Sequence, residues 1–443
     1  MEVRWFADHI NMEKSLKDEI NAIIDDCCAK YSSFSIETFI DIVNEIHSKV
    51  FQGSYLIEIE TLKKIANSVD KYDKFEIPKR SGGVREIYAP KKNLKKILYY
   101  LNFIFQNIYV RNFSLYISPN GFIPNRSVVT NAKRHLCKNY VFNIDLEDFF
   151  PSIKQYKVSF MLQIAPFNMS KSDANLMAKL ICYQDQNGES FLPQGAPTSP
   201  IISNFACRFL DIKLVNLAKQ FRLTYSRYAD DITFSSNYNI YDDKFIDALT
   251  LVIEEEGFKI NKNKTRLQKR NMRQEVTGVI VNYKLNVYRS YIKKLRVLLH
   301  MVKKYGYEKA NEIYNQKEQS DKQKDLKSTI AGKLNYLKMI KGSNDTTYMG
   351  LMNSYVELFD IKQKNKPPIP DDESLIVCET AEKLLKELMA SNNLILTNIK
   401  NESNYLNLPK TQNVSSLKVA NSEKAITTES LVDRILSKLR EIL

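Results

Sequence analysis

Two adjacent aspartates, Asp230 and Asp231, stand in the middle of an apolar and β-branched run, Leu223-Thr-Tyr-Ser-Arg-Tyr-Ala-Asp-Asp-Ile-Thr-Phe-Ser235. The flanking residues predict two strands over 223–236 around a tight turn. A strand turn leaves no helix end for either carboxylate to cap, so the two repel each other unless a cation intervenes. Three other Asp-Asp pairs occur, at 25–26, 242–243 and 371–372. Helix capping is an adequate role for the pairs at 25–26 and 242–243, and the third follows a proline-rich linker. Only the pair at 230–231 demands a different explanation.

Asp145 is a second unusual carboxylate, ending the apolar stretch Val141-Phe-Asn-Ile ahead of Leu146-Glu-Asp-Phe-Phe150. One reading makes it the N-cap of the next helix. The other places its strand beside the Asp230 turn, so that three oxygen donors face one point. Such a set suits Mg²⁺, which takes hard oxygen ligands and shares the rest with phosphates and water. Two such ions can activate a 3′-hydroxyl and stabilise a leaving pyrophosphate.

Around these segments the pattern is α+β. Residues 1–70 read as helical. A hairpin is expected over 72–90 and a helix over 91–110, with further helices after Pro151 and at 172–184, 203–221 and 243–256. Strands at 276–281 and 285–289 precede helices at 290–304, 323–341 and 346–359. Lys364–Asp372 reads as a linker. Helices near 373–391 and 427–442 flank an Asn-, Ser- and Lys-rich stretch expected to be mobile. With 443 residues and 44% hydrophobic content, two or three packed units are expected, and a wholly disordered or disulfide-scaffold chain is excluded. No apolar stretch approaches the roughly 18 residues of a membrane span. The N-terminus lacks a signal pattern, and six cysteines without CxxC spacing read as reduced thiols. A cytoplasmic protein is the expectation.

The net charge of +14 is localised. Residues 257–310 hold 15 basic and 2 acidic side chains, whereas residues 1–256 balance at 31 of each. A solvated helix face normally mixes signs; a nearly pure basic segment points to a phosphate backbone.

Several other segments are modest singly. Lys79, Arg80 and Arg85 flank the Gly82-Gly83 turn and could fold over a triphosphate or form a solvated edge. Leu192-Pro-Gln-Gly-Ala-Pro-Thr-Ser-Pro200 could bring backbone close to a flat base pair. His135 alone reads more readily as a hydrogen-bonded core histidine than as a catalyst.

Taken in order, IPKRSGGVREI, NAKRH, NIDLEDFFPSI, LPQGAPTSP, YSRYADDITFS, GFKINKNKT and VTGVIVN resemble the bacterial reverse transcriptases. The NAxxH and VTG elements are similar to those of the retron enzymes and related defence-associated groups. The resemblance covers residues 20–360. It implies a right-hand polymerase fold, with an N-terminal helical region (1–70), fingers with an RNA-contacting insertion (71–140), palm (141–289), helical thumb (290–360) and a helical C-terminal extension (361–443).

The resemblance also implies roles. Asp145, Asp230 and Asp231 would be the catalytic, metal-binding aspartates for two Mg²⁺ ions, with the Leu146 carbonyl as a further ligand. Phe150 would be the steric gate that excludes a ribose 2′-hydroxyl. Lys79 and Arg85 would grip the dNTP triphosphate, and Gln194 and Gly195 would line the nucleotide site. Lys264 would approach the pyrophosphate, or else be one more phosphate-tracking lysine. Asn131 and His135 would contact the cognate structured noncoding RNA, and Val276, Thr277 and Gly278 would begin the primer grip. The implied activity is RNA-directed DNA synthesis in a retron-like anti-phage system, with an RNA/DNA duplex as product. A non-retron defence enzyme and a non-catalytic RNA-binding scaffold are the alternatives. The extension suggests self-association or docking of an effector protein.

Overall fold

A computed structural model describes residues 19–26, 33–51, 57–79, 82–113, 118–239, 241–318 and 324–359. The linker, helices and mobile stretch expected after residue 360, and any docking role for them, lie outside the described residues. In chain order the strands are β1 (Tyr72–Pro78), β2 (Val84–Pro90), β3 (Tyr140–Asp145), β4 (Tyr183–Gln184), β5 (Ser190–Phe191), β6 (Thr224–Tyr228), β7 (Asp231–Ser236), β8 (Arg266–Lys269), β9 (Glu275–Val276) and β10 (Val279–Ile280). Four of them form one antiparallel sheet in the order β6-β7-β3-β8. The remaining pairs are separate two-stranded hairpins, β1–β2, β4–β5 and β9–β10.

The expected turn at 229–230 is present, because the β6–β7 register closes on Tyr228 opposite Asp231. The strand β8 was not expected. Arg266-Leu-Gln-Lys269 has one apolar residue and no local strand signal. It forms because β3 offers it an open edge, pairing Tyr140 with Lys269 and Asn143 with Arg266, so tertiary pairing overrides propensity. The 203–221 helix is instead two, Ser199–Ala206 and Arg208–Gln220, the first beginning around Pro200 rather than after it. The helix Tyr307–Glu318 was also unexpected; its sequence has little amphipathic pattern. Asp242 caps the helix Asp243–Glu255, as its position suggests, accepting from the Phe245 N–H at 3.1 Å. Asp25 instead pairs with Arg111 at 2.7 Å.

Two cores result. The larger joins the N-terminal helices, the helix Lys92–Phe113 and one face of the sheet, and includes Phe39, Phe105, Phe167, Phe205 and Phe234. The smaller is built on the helices Arg289–Tyr305, Leu326–Lys341 and Thr346–Leu358. It extends to Val276 and Val279 of the last hairpin, and to Val129 and Ala132 of the short helix Val128–Lys133. The NAxxH segment thus lies where the second core meets the sheet. No helix among the described residues is long and apolar enough to cross a membrane.

Candidate active site at the sheet end

Asp145 is the last residue of β3, and the ladder places it opposite Asp231, the first residue of β7. Asp230 occupies the two-residue turn before β7. Its carbonyl accepts a hydrogen bond from the Leu146 N–H at 3.1 Å, which ties the end of β3 to the turn. Ala229 holds φ at 57°, a conformation that disfavours a side chain and marks stored strain. Gly121 packs against this turn: a Cβ there would lie 2.8 Å from the Ala229 nitrogen. Behind it, Arg227 is fully buried and grips Asp211 with two bonds, Nε–Oδ1 at 2.8 Å and Nη2–Oδ2 at 2.6 Å. Its Nη1 donates to the Ala229 carbonyl at 3.2 Å.

The carboxylates perturb one another. Asp231 has its pKa pushed up to about 7 by burial and then by the charges of Asp230 and Asp145. Asp230 is raised by burial and by Asp145, an effect partly offset by Lys264 and Arg85. Arg85 therefore acts electrostatically on Asp230. Lys264 touches Asp145: its Nζ lies 2.9 Å from Oδ2. Asn261 explains how, since its N–H donates to the Asp145 carbonyl at 2.8 Å and its amide to Oδ2 at 3.3 Å. The turn Asn261–Lys264 is thereby pinned to the end of β3. Asp145 caps no helix; Asp148 precedes the helix Phe149–Ser152.

The other expected site residues divide. Phe150 is half-buried, beside Phe149 and Phe122 at ring distances of 5.2 and 6.4 Å. The Gln194 carbonyl accepts from the Tyr88 N–H at 2.8 Å, and a Cβ on Gly195 would meet Ile87 and Tyr88 at 2.9 Å. That loop is therefore fitted to strand β2. Lys79 closes the β1–β2 hairpin through its backbone, bonded to Gly83 at 2.9 Å; among the described residues no contact joins its side chain to the aspartates. Val276 is buried and pairs with Val279 across the turn Thr277-Gly278.

Asn131 and His135 cannot touch RNA in this structure, because both are fully buried. His135 accepts or donates on both ring nitrogens, to Ser235 and Ser226 at 2.7 Å each, and so bridges β6 and β7. Asn131 donates to Thr277 Oγ1 at 3.4 Å. These residues brace the sheet and the last hairpin instead. The pKa of His135 falls to about 3, since burial penalises the imidazolium and Arg134 and Lys138 repel it. An unfolded histidine titrates near 6.5, so as pH falls through that value the unfolded chain takes up a proton that the fold refuses. Stability present above pH 6.5 is lost toward pH 3. In urea titrations the protein is expected to lose about 2 kcal/mol between pH 7 and pH 5 from this group alone. His135→Gln should remove that slope; an unchanged slope would mean the histidine is not buried neutral.

Residues 77–281 match the family described as reverse transcriptase (RNA-dependent DNA polymerase). Retron Mx65 reverse transcriptase of Myxococcus xanthus is 36% identical over 245 residues, 52% of this chain and 56% of that protein. Retron Mx162 reverse transcriptase of the same species is 33% identical over 53% of each chain. Retron Ec86 reverse transcriptase of Escherichia coli is 31% identical over 59% of this chain and 79% of the relative. The chain belongs to the retron reverse transcriptases. Its fold is the right-hand polymerase fold, an antiparallel sheet flanked by helices with a helical part following it. The chain spans about half the length of the two Myxococcus relatives.

Family members of this kind generally use divalent metal ions. Among the described residues no three His, Cys, Asp or Glu side chains converge on one point as they stand; Asp145 is turned to Lys264. The donor chemistry nevertheless fits a hard cation. Three carboxylates share one sheet end, and burial followed by the charge of neighbouring carboxylates raises the pKa of Asp230 and Asp231, a repulsion that a bound cation relieves.

Proposed function

We propose that this protein is an RNA-directed DNA polymerase that copies a structured noncoding RNA of its own into DNA from dNTPs. We place it in the bacterial cytoplasm, in a retron-type defence system against phage. The observation that carries the reading is the ladder pairing of Asp145 with Asp231, with Asp230 on the intervening turn.

Asp145, Asp230, Asp231 and the Leu146 carbonyl would hold two Mg²⁺ ions. When bound, these supply activation of the primer hydroxyl and neutralisation of the leaving pyrophosphate. The chain's own residues do the positioning. Lys264 and Arg85 add positive charge beside the aspartates, on the side where a triphosphate would lie. Phe150 sets an aromatic ring next to the sheet end, where it limits the space beside a sugar. Gln194 and Gly195 hold the nucleotide loop against the fingers hairpin, and Val276-Thr277-Gly278 guides the primer strand. Regions 71–140, 141–289 and 290–360 correspond to fingers, palm and thumb.

The helix Arg289–Tyr305 supports the duplex-binding part. It buries Leu295, Leu298, Leu299 and Val302 and exposes Lys293, Lys294, Arg296, His300, Lys303 and Lys304. A basic face on a packed helix suits sequence-neutral contact with a phosphate backbone. The test is primer extension on an RNA template with Mg²⁺. Wild-type protein should extend with dNTPs, and Phe150→Ala should raise ribonucleotide use by about tenfold relative to dNTPs. Inactivity on every template with tight RNA binding kept would favour a scaffold, and unchanged discrimination would remove Phe150 from the gate.

A further inference from the structure

The far end of the sheet also presents an exposed, basic surface. At the opposite end of β3 from Asp145, about 17 Å away by strand rise, a shallow concavity of about 660 Å³ is lined by Asn139, Asn237, Tyr238, Lys269 and Arg270, among others. Tyr238 is 72% exposed, and Tyr283, which neighbours the lining residue Arg270, is 70% exposed. Arg270 lies over the Tyr283 ring at 5.5 Å. No acidic side chain lines this concavity, and among the described residues no ion pair engages Lys269 or Arg270.

The patch is built rather than incidental. Asn139 is locked to Asn237 by two bonds, N–H to Oδ1 at 3.3 Å and Nδ2 to the carbonyl at 3.0 Å. Its Oδ1 accepts from Arg270 at 3.3 Å. The Asn282 amide holds the other side, bonding the Arg270 and Met272 carbonyls at 3.3 and 2.7 Å. The chain reaches this surface straight from His135, through Cys137, whose N–H bonds the Val281 carbonyl at 3.1 Å. The buried NAxxH brace therefore delivers Lys138 and Asn139 to the rim.

We infer that this far end of the palm sheet binds unpaired bases of a structured RNA, with Tyr238 and Tyr283 as stacking platforms. Two large aromatic rings held out in water have no use in the fold. Stacking on exposed rings beside a cationic track is how single strands are held, whereas a paired stem offers only phosphates and groove edges. Fixed asparagine amides add hydrogen-bonding groups for base edges. The face is separate from the aspartates, so it can hold one part of an RNA while another part is copied. The inference rests on the nucleic-acid reading above but not on catalysis.

The test is fluorescence anisotropy of the full chain with two labelled RNAs, a hairpin with a long unpaired loop and a blunt duplex of the same stem. Tyr238→Ala with Tyr283→Ala is expected to weaken binding of the looped hairpin about tenfold and leave the blunt duplex unchanged. Primer extension on a simple oligonucleotide duplex should be retained, which shows that the variant is folded. Tyr238→Phe with Tyr283→Phe should keep the affinity, because stacking survives. Equal loss on both RNAs, or equal loss in the Phe and Ala variants, would overturn the stacking assignment. Unchanged affinity in all variants would overturn the site and leave the face to a protein partner. A wild-type chain that failed to extend primers would count against the polymerase reading alone.

Discussion

Replacing Asp230 and Asp231 together with asparagine is expected to abolish DNA synthesis, by on the order of 10³-fold or more, while making the metal-free protein more stable. The two effects have one cause. The fold sets Asp145 opposite Asp231 and puts Asp230 on the turn between. Burial and then repulsion, from Asp145 on Asp230 and from Asp230 and Asp145 on Asp231, push both carboxyls up, Asp231 to about 7. A buried acid whose pKa is raised withdraws stability as pH rises through that range, because the folded chain must give up a proton that it holds more tightly than the unfolded chain does. Asparagine keeps the shape and removes the charge. In EDTA at pH 8 the double variant should therefore melt above wild type, and Mg²⁺ should raise the melting temperature of wild type only. RNA affinity should be spared. Residual synthesis at near-normal rate would sink the metal assignment, and a variant melting below wild type would show that the carboxylates hold the fold together.

How much of this was legible beforehand follows from where the constraints sit. The Asp230 turn could be read because both flanking strands carry β-branched and aromatic residues and because adjacent carboxylates have no local use there. The place of Asp145 is ambiguous in the sequence, since a strand-ending aspartate is also a good N-cap; only the pairing of β3 with β7 puts it opposite Asp231. Strand β8 was illegible because its pairing energy belongs to the neighbouring strand, not to Arg266-Leu-Gln-Lys269. For the motif NAKRH, the RNA contact that the family resemblance implies conflicts with burial, for a related reason. Read from its residues, His135 suits a hydrogen-bonded core histidine, and it is buried between Ser226 and Ser235; Asn131 is buried too, its amide nitrogen bonded to Thr277. Their partners are about 90 to 150 residues away in the chain, a distance at which local patterning carries no information. Arg227 could have been flagged. A lone arginine in the otherwise apolar alternation of β6 implies a buried acidic partner, although nothing local identifies Asp211.

Arg227 accordingly carries the second large prediction. Arg227→Met leaves Asp211 buried without its cation, a loss of about 3–5 kcal/mol, read as a fall in urea midpoint or melting temperature. Tyr225 also donates to Asp211 Oδ1, at 2.6 Å, but a neutral hydroxyl does not offset a buried charge. Arg227→Lys should fail almost as badly, because one ammonium cannot make the two parallel bonds to Asp211 and also reach Asn204 and Ala229. Pairing Arg227→Met with Asp211→Leu separates stability from positioning. Replacing a buried ion pair by apolar residues often restores stability, yet the double variant still lacks the guanidinium that holds the strained Ala229 carbonyl. It should therefore fold and still extend primers at least about tenfold more slowly, since small displacements at a reacting centre are expensive in rate. Recovery of both stability and rate would mean that Arg227 only balances the charge of Asp211. Recovery of stability alone makes it a positioning residue, setting the Asp230 turn from behind without touching the reacting atoms.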